Sequence, residues 1–141
     1  MKRILSLSLT LIMLIMSCFL IVSCVDRDGG GQGEMLYTKD TTLGNGDTTF
    51  TLVVEHTNNR TVTFTINTNK EILSDALTEV GILDGHDSTY GLYIDTVNGV
   101  THDFSVDQTY WAIYVGNEYA PVGIDFLEIE SGATYKLVAS K

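Results

Sequence analysis

From about residue 48 the chain alternates apolar and polar positions. Phe50, Leu52 and Val54 fall on one side of an extended segment, with Thr51 and Glu55 on the other. Val62, Phe64 and Ile66 repeat the pattern, with Thr61, Thr63 and Thr65 opposite. A period of two, rich in β-branched residues, is the pattern of a half-buried strand. His56-Thr57-Asn58-Asn59-Arg60 between the two supplies turn residues, so an antiparallel hairpin is expected. The period then changes. Ile72, Leu73, Ala76, Leu77 and Val80 stand at i, i+1, i+4, i+5 and i+8, one stripe of a helix. Glu71 and Asp75 lie in its first turns, where carboxylates suit the positive end of the helix dipole. Asn69 offers an N-cap and Gly81 a terminator.

After a loop at Asp84–Thr89, Tyr90 to Thr96 reads as a strand and Val97-Asn98-Gly99-Val100 as a tight hairpin turn. Three more strand-like segments follow: Tyr110–Val115, the region Val122–Ile129, and Thr134–Val138. The expected order is β-β-α-β-β-β-β. Helix and strands segregate, which is the arrangement of an α+β domain with one helix packed on a mixed sheet. The stretch from Tyr110 to Gly123 holds the only tryptophan, the only proline and three of the seven tyrosines. That concentration of large apolar area marks a core strand running into a Gly116-Asn117 hairpin.

The N-terminus is of another kind. Lys2 and Arg3 precede an uncharged apolar run from Ile4 to Val22, long enough to read as a membrane span on hydropathy alone. The run ends in Ile21-Val22-Ser23-Cys24, which resembles the lipobox of bacterial lipoprotein signal peptides. On that reading residues 1–23 are a signal peptide and Cys24 is lipidated. Cys18 is the weaker candidate, because it would leave more apolar residues on the mature side. One acyl chain holds a protein only marginally, whereas two anchor it stably, so a diacylated Cys24 would suffice. Residues 24–47, with Gly29-Gly30-Gly31-Gln32-Gly33 near the start and the turn cluster Gly44-Asn45-Gly46-Asp47 at the end, read as a flexible linker, leaving the domain at 48–141.

Composition narrows function more by exclusion than by indication. The formal net charge is −10, and it is more negative still once Lys2 and Arg3 are removed. Such a surface repels nucleic acid, so no nucleic-acid partner is expected. With Cys24 capped by lipid there is no disulfide framework and no thiol nucleophile. Asp84-Gly85-His86-Asp87-Ser88-Thr89 has only the beginning of an Asp-x-His-x-x-Gly corrinoid motif, with Thr89 where the glycine belongs, and is better read as a polar loop. His56, His86 and His102 stand in separate segments without ligand spacing; His102-Asp103 could join other carboxylates at a metal, but surface turns account for them, and no metal site is assigned. Asn59-Arg60-Thr61 fits a glycosylation sequon that a bacterial lipoprotein would leave unused. No nucleophile elbow, phosphate loop or calcium loop is present, and no enzyme activity is expected.

From about Phe50 to the end the chain resembles the C-terminal domain of transcobalamin and gastric intrinsic factor, together with the bacterial family of unassigned function built on it. The resemblance is carried by the hairpin and helix, Tyr90-Gly91-Leu92-Tyr93 leading into Val97-Asn98-Gly99, Tyr110-Trp111 followed by a glycine hairpin, and Val122-Gly123-Ile124-Asp125. Ser131-Gly132-Ala133-Thr134-Tyr135 departs slightly, with Ala133 where an aspartate is often found. The resemblance implies a β-grasp fold and a ligand-binding role. It also implies ligand-facing parts at Tyr93, Trp111, Ile113, Tyr119 and Ala120, although Trp111 and Ile113 at alternate positions equally suit a core. No cofactor is required, and cobalamin is a ligand such a domain could take. The eukaryotic carriers close this domain against a large helical barrel that this chain has no room for, so a partner would complete the site. The expectation is therefore a lipid-anchored envelope protein facing outward, whose domain binds a small molecule or, alternatively, a surface protein.

Overall fold

The computed structural model describes residues 31–141. The expected signal peptide, Cys24 and the first part of the expected linker lie outside them. The fold is mixed α/β, mostly strands, with one main helix on curled sheets. Its elements are β1 (Thr41–Gly44), β2 (Thr48–Glu55), β3 (Thr61–Thr68), α1 (Leu73–Glu79), β4 (Leu83–Ser88), β5 (Gly91–Val97), β6 (Val100–Thr101), α2 (Phe104–Asp107), β7 (Tyr110–Val115), β8 (Glu118–Tyr119), a 3-10 turn (Ile124–Phe126) and β9 (Thr134–Ser140). Six strands form one sheet in the order β1-β3-β2-β9-β7-β8; β4-β5-β6 form a second.

The alternation in β2 and β3 does what its period dictates. Phe50, Leu52 and Val54, with Val62, Phe64 and Ile66, are all buried on the inner face, where Tyr135 and Leu137 of β9 join them. The opposite face is rich in threonine, and Thr42, Thr65, Thr51 and Thr134 stand in register across four adjacent strands. Such β-branched cross-strand neighbours suit a pleated surface. Leu73, Ala76 and Leu77 of α1 are fully buried and close the core from one side, with Ile82, Leu83, Ile94 and Val97 around the second sheet.

Several expectations are corrected. The helix is shorter than its apolar stripe, and Ile72, without a side-chain bond, occupies the N-cap. The Asn69 carboxamide instead accepts from the Asp47 backbone N–H at 3.0 Å. Gly81 does end the helix, at φ +74. The expected loop at Asp84–Thr89 is largely strand β4, with a register irregularity between Asp84 and Gly85. Val122–Ile129 is not a strand; it is the 3-10 turn with an isolated bridge from Glu128 to Ile72. The β-β-α-β-β-β-β order therefore gives way to one in which β1, β4, β6, β8 and the short α2 are added and the strand expected at Val122–Ile129 is lost.

The linker boundary also moves. From residue 31 the expected linker is bound to the domain. Gln32 exchanges backbone hydrogen bonds with Thr101 at 2.8 and 2.7 Å, and the Leu36 N–H donates to the Asn98 carbonyl at 2.9 Å. The Asn98 side chain receives the Tyr37 N–H at 2.9 Å and donates to the Tyr37 carbonyl at 2.8 Å. Tyr37 then meets Phe64 edge-on at 5.7 Å, and β1 pairs parallel to β3. This strap is part of the fold because its backbone groups find partners that a free linker would leave to water.

Candidate functional site

Two turns build one rim of the molecule. The first joins β4 to β5. The Ser88 hydroxyl donates to the Gly91 carbonyl at 2.6 Å and accepts from the Tyr90 N–H at 3.2 Å, which holds Tyr90 outward. The second is the 3-10 turn, closed by the Phe126 N–H on the Gly123 carbonyl at 3.0 Å. Ile124 and Leu127 point into the core and pin this turn, leaving Val122 and Phe126 outside. Its far end is stitched to the start of α1 by Leu73 N–H to the Leu127 carbonyl and Ile129 N–H to the Glu71 carbonyl.

Asp125 joins the two turns. Its carboxylate accepts from the Leu92 N–H at 3.1 Å. A Cβ at residue 91 would lie 2.6 Å from that carboxylate, and Gly91 also has φ +100, so only glycine allows the approach without strain. The product is an apolar rim of Tyr90, Val122 and Phe126, with Tyr90 90 % and Phe126 62 % exposed.

Beside the rim, between α1 and the β4–β5 hairpin, lies an open cleft of about 640 Å³ lined by Lys70, Ser74, Asp75, Thr78, Glu79, Asp87, Leu92 and Asp125. Four carboxylates face one ammonium, and that ammonium lies 3.5 Å from Glu79. The cleft therefore favours a ligand that brings hydrogen-bond donors or positive charge. Among the described residues no three His, Cys, Asp or Glu side chains gather as metal ligands.

The residues expected from the sequence are placed apart. Trp111 is only 5 % exposed and belongs to the core. It meets His56 edge-on at 5.6 Å and His102 at 4.7 Å. Ile113 packs against the same core. Its carbonyl accepts from the Ala120 N–H at 2.9 Å, and Ala120 is buried. Tyr119 is exposed and stands against Tyr114 at 5.4 Å. Neighbours in an extended segment face opposite ways, so Tyr119 and Ala120 cannot line one surface. Tyr93 lies on the second sheet against His86 at 5.2 Å; burial first, then Asp95 and Asp103, pushes its phenol pKa up. His86 Nδ1 is 2.6 Å from the Asp95 carboxylate. Trp111, Ile113 and Ala120 are thus brought together in the core, whereas Tyr93 and Tyr119 stand on separate surfaces.

Tyr90, Val122, Asp125 and Phe126 were not singled out by the sequence as site residues. The available signals were Pro121 and Gly123 bracketing Val122, which argue against a strand there, and Ser88 and Gly91 bracketing Tyr90.

Comparison with known proteins places this geometry. Residues 70–134 match the model of a domain of unknown function, DUF4430, a span running from just before α1 through both turns of the rim to the start of β9. No curated protein matches the sequence. Among solved structures the chain is similar to a "putative metal binding protein" from Ruminococcus gnavus ATCC 29149, at 27% identity and a TM-score of 0.64, covering 67% of this chain and 98% of that one. It is also similar to haptocorrin in complex with Cbi, at 18% identity and a TM-score of 0.57, covering 67% of this chain and 25% of that one. This second likeness is one of fold, and the chain spans about a quarter of haptocorrin's length. The resemblance read from the sequence holds: the chain carries a DUF4430 match and shares its fold with a member of the transcobalamin family.

Proposed function

We propose that this protein is a lipid-anchored envelope component whose β-grasp-like domain binds a small ligand at the Tyr90–Phe126 rim, with a corrinoid as the ligand class and a partner completing the site. The observation that carries the reading is the exposed apolar rim of Tyr90, Val122 and Phe126 set beside an acidic cleft. A corrinoid offers a broad ring face for the aromatic side chains and peripheral amides that donate to carboxylates, which is the chemistry the two surfaces would accept. Tyr90, almost wholly exposed, leaves room for a partner chain over the ligand. No residue is assigned to catalysis, no cofactor is required, and the rim is not a nucleic-acid surface.

The test is a titration of the soluble mature protein with cyanocobalamin and cobinamide, following Trp111, the only tryptophan. Corrinoids absorb where tryptophan emits, so binding at the rim quenches a buried Trp111 without contact. Saturable quenching, weakened tenfold or more by Tyr90→Ala with Phe126→Ala, is the expected result. No saturation at millimolar ligand, alone or with envelope proteins cross-linked to the rim in cells, would overturn the ligand reading. Recovery of one defined protein at the rim without any corrinoid effect would instead establish an interaction module. Anchoring is tested separately: Cys24→Ala should abolish lipid labelling and release the protein from the membrane.

A further inference from the structure

At the Trp111 end of the core, His56 has no acceptor. Its residue is 7 % exposed, and neither Nδ1 nor Nε2 finds a hydrogen-bond partner. Trp111 Nε1 beside it is likewise buried without a partner. Buried polar atoms are nearly always paired, and an exception in a native fold calls for an explanation. The titratable and charged groups that face His56 are His102, across Trp111, and Arg60, in its own hairpin turn; neither is a carboxylate, and both oppose a charge on the imidazole. His56 also sits at the hinge of that turn. Its carbonyl accepts from the Asn59 N–H at 3.1 Å, its N–H donates to the Arg60 carbonyl at 2.8 Å, and residues 58–60 are exposed.

We infer that His56 is an acid-operated door: on protonation its imidazole leaves the core, carries the Thr57–Arg60 turn with it and uncovers Trp111. The cation has water within one turn of chain and no hydrogen-bond acceptor where it is, so moving outward is the shortest relief. The strands below keep their pairing, because Glu55 is held by Thr61 on one side and Val138 on the other. Burial first, then His102 and Arg60, lowers the His56 pKa from the ordinary 6.5 to about 4. The closed state is therefore the neutral one, favoured in full above 6.5 and progressively lost as pH falls towards 4. In that window each unit of pH raises the open population about tenfold, up to a few hundredfold in all.

The experiment uses the soluble mature protein, with Trp111 as reporter. Between pH 7 and 4 acrylamide quenching of Trp111 should rise while far-ultraviolet circular dichroism stays unchanged. Over the same range the exchange of the Asn59 and Arg60 amides, corrected for intrinsic pH dependence, should accelerate about tenfold per unit. His56→Phe keeps the edge contact with Trp111 and should remove both effects. Should that variant not fold, the His56 ring-proton chemical shift in the unmodified protein must titrate together with Trp111 exposure. A Trp111 that stays protected until the circular dichroism is lost would refute the door. So would a transition that persists in His56→Phe or disappears only in His102→Phe.

Discussion

Asn98 decides whether the strap at residues 31–44 belongs energetically to the domain. Its side chain clamps the Tyr37 backbone with one accepted and one donated hydrogen bond, at 2.9 and 2.8 Å, while its own backbone receives Leu36 and donates to Ile82. It is fully buried and has φ +50, the left-handed region that the tight turn with Gly99 at φ +81 demands. Replacing it by glycine removes the clamp but not the turn geometry. Two hydrogen bonds are lost and two Tyr37 backbone groups, half-open to water, lose their partner, so Asn98→Gly should cost about 1–3 kcal/mol. Asn98→Ala adds the strain of a Cβ in the left-handed region, a further 1–2 kcal/mol or so. Asn98→Asp keeps the acceptor, loses the donor and sets a carboxylate against the Tyr37 carbonyl, so it should be no better than glycine. Urea unfolding of the three variants gives the ranking, and hydrogen exchange at Leu36 and Tyr37 shows whether the strap has come off. If Asn98→Gly lies within about 0.5 kcal/mol of the parent and those amides exchange at the same rate as before, the clamp is decoration and the domain begins near residue 48 after all.

Other parts of the frame make separate predictions. Leu77→Ala empties a fully buried position under α1 and should cost about 2–5 kcal/mol in urea unfolding. Gly85→Ala places a Cβ 2.2 Å from the Tyr93 carbonyl oxygen, so β4 must part from β5 there; a loss of about 1–3 kcal/mol and faster exchange at His86 and Asp87 are expected. Asp125→Ala frees the Leu92 N–H and unties the two rim turns; thermal unfolding should shift little, whereas nuclear magnetic resonance signals of Tyr90, Gly91 and Phe126 should broaden or move together.

Much of this frame was legible because local pattern and tertiary demand agree. The period of two in Phe50–Val54 and Val62–Ile66, the stripe of Leu73, Ala76 and Leu77, and the Asn98-Gly99 turn each state their structure locally, and the fold uses them unchanged. Where the two conflict, sequence pattern loses. β4 reads as a loop because Asp84-Gly85-His86-Asp87-Ser88 has no apolar residue; it is a strand only because β5 offers a ladder along its whole length. β1 is a four-residue edge strand, too short for a period to show. In Val122–Ile129 the apolar residues at 122, 124 and 126 imitate alternation, yet Ile124 and Leu127 are the buried pair, three apart, which is the period of a 3-10 turn. That misreading is what hid the rim, since a strand would have placed Val122 and Phe126 on the same buried face as Ile124, whereas the turn buries Ile124 and leaves Val122 and Phe126 outside.

The rim and the strap lie at opposite ends of one strand. β5 begins at Gly91, beside Tyr90 and Asp125, and ends at Val97, where the Asn98 clamp holds Tyr37. Gln32 docks on Thr101, which pairs with Thr96 at that same far end. The six residues from Leu92 to Val97 place the two ends about 20 Å apart. A lipid at Cys24, as proposed, would have only the residues 25–30 before the chain meets the domain, a reach of at most about 25 Å. Had the linker run free to residue 47, the domain could tumble and offer its rim to the membrane as readily as to the medium. With the strap clamped, a tether from a lipidated Cys24 would enter at the end of β5 remote from Tyr90, and so short a leash would bias the rim away from the bilayer. On this argument the strap serves the function by orientation: Asn98→Gly should leave corrinoid affinity in solution unchanged while making Tyr90→Cys, labelled with a polarity-sensitive dye on vesicles, more often buried in lipid. A label equally exposed with and without the clamp would remove that role from the strap.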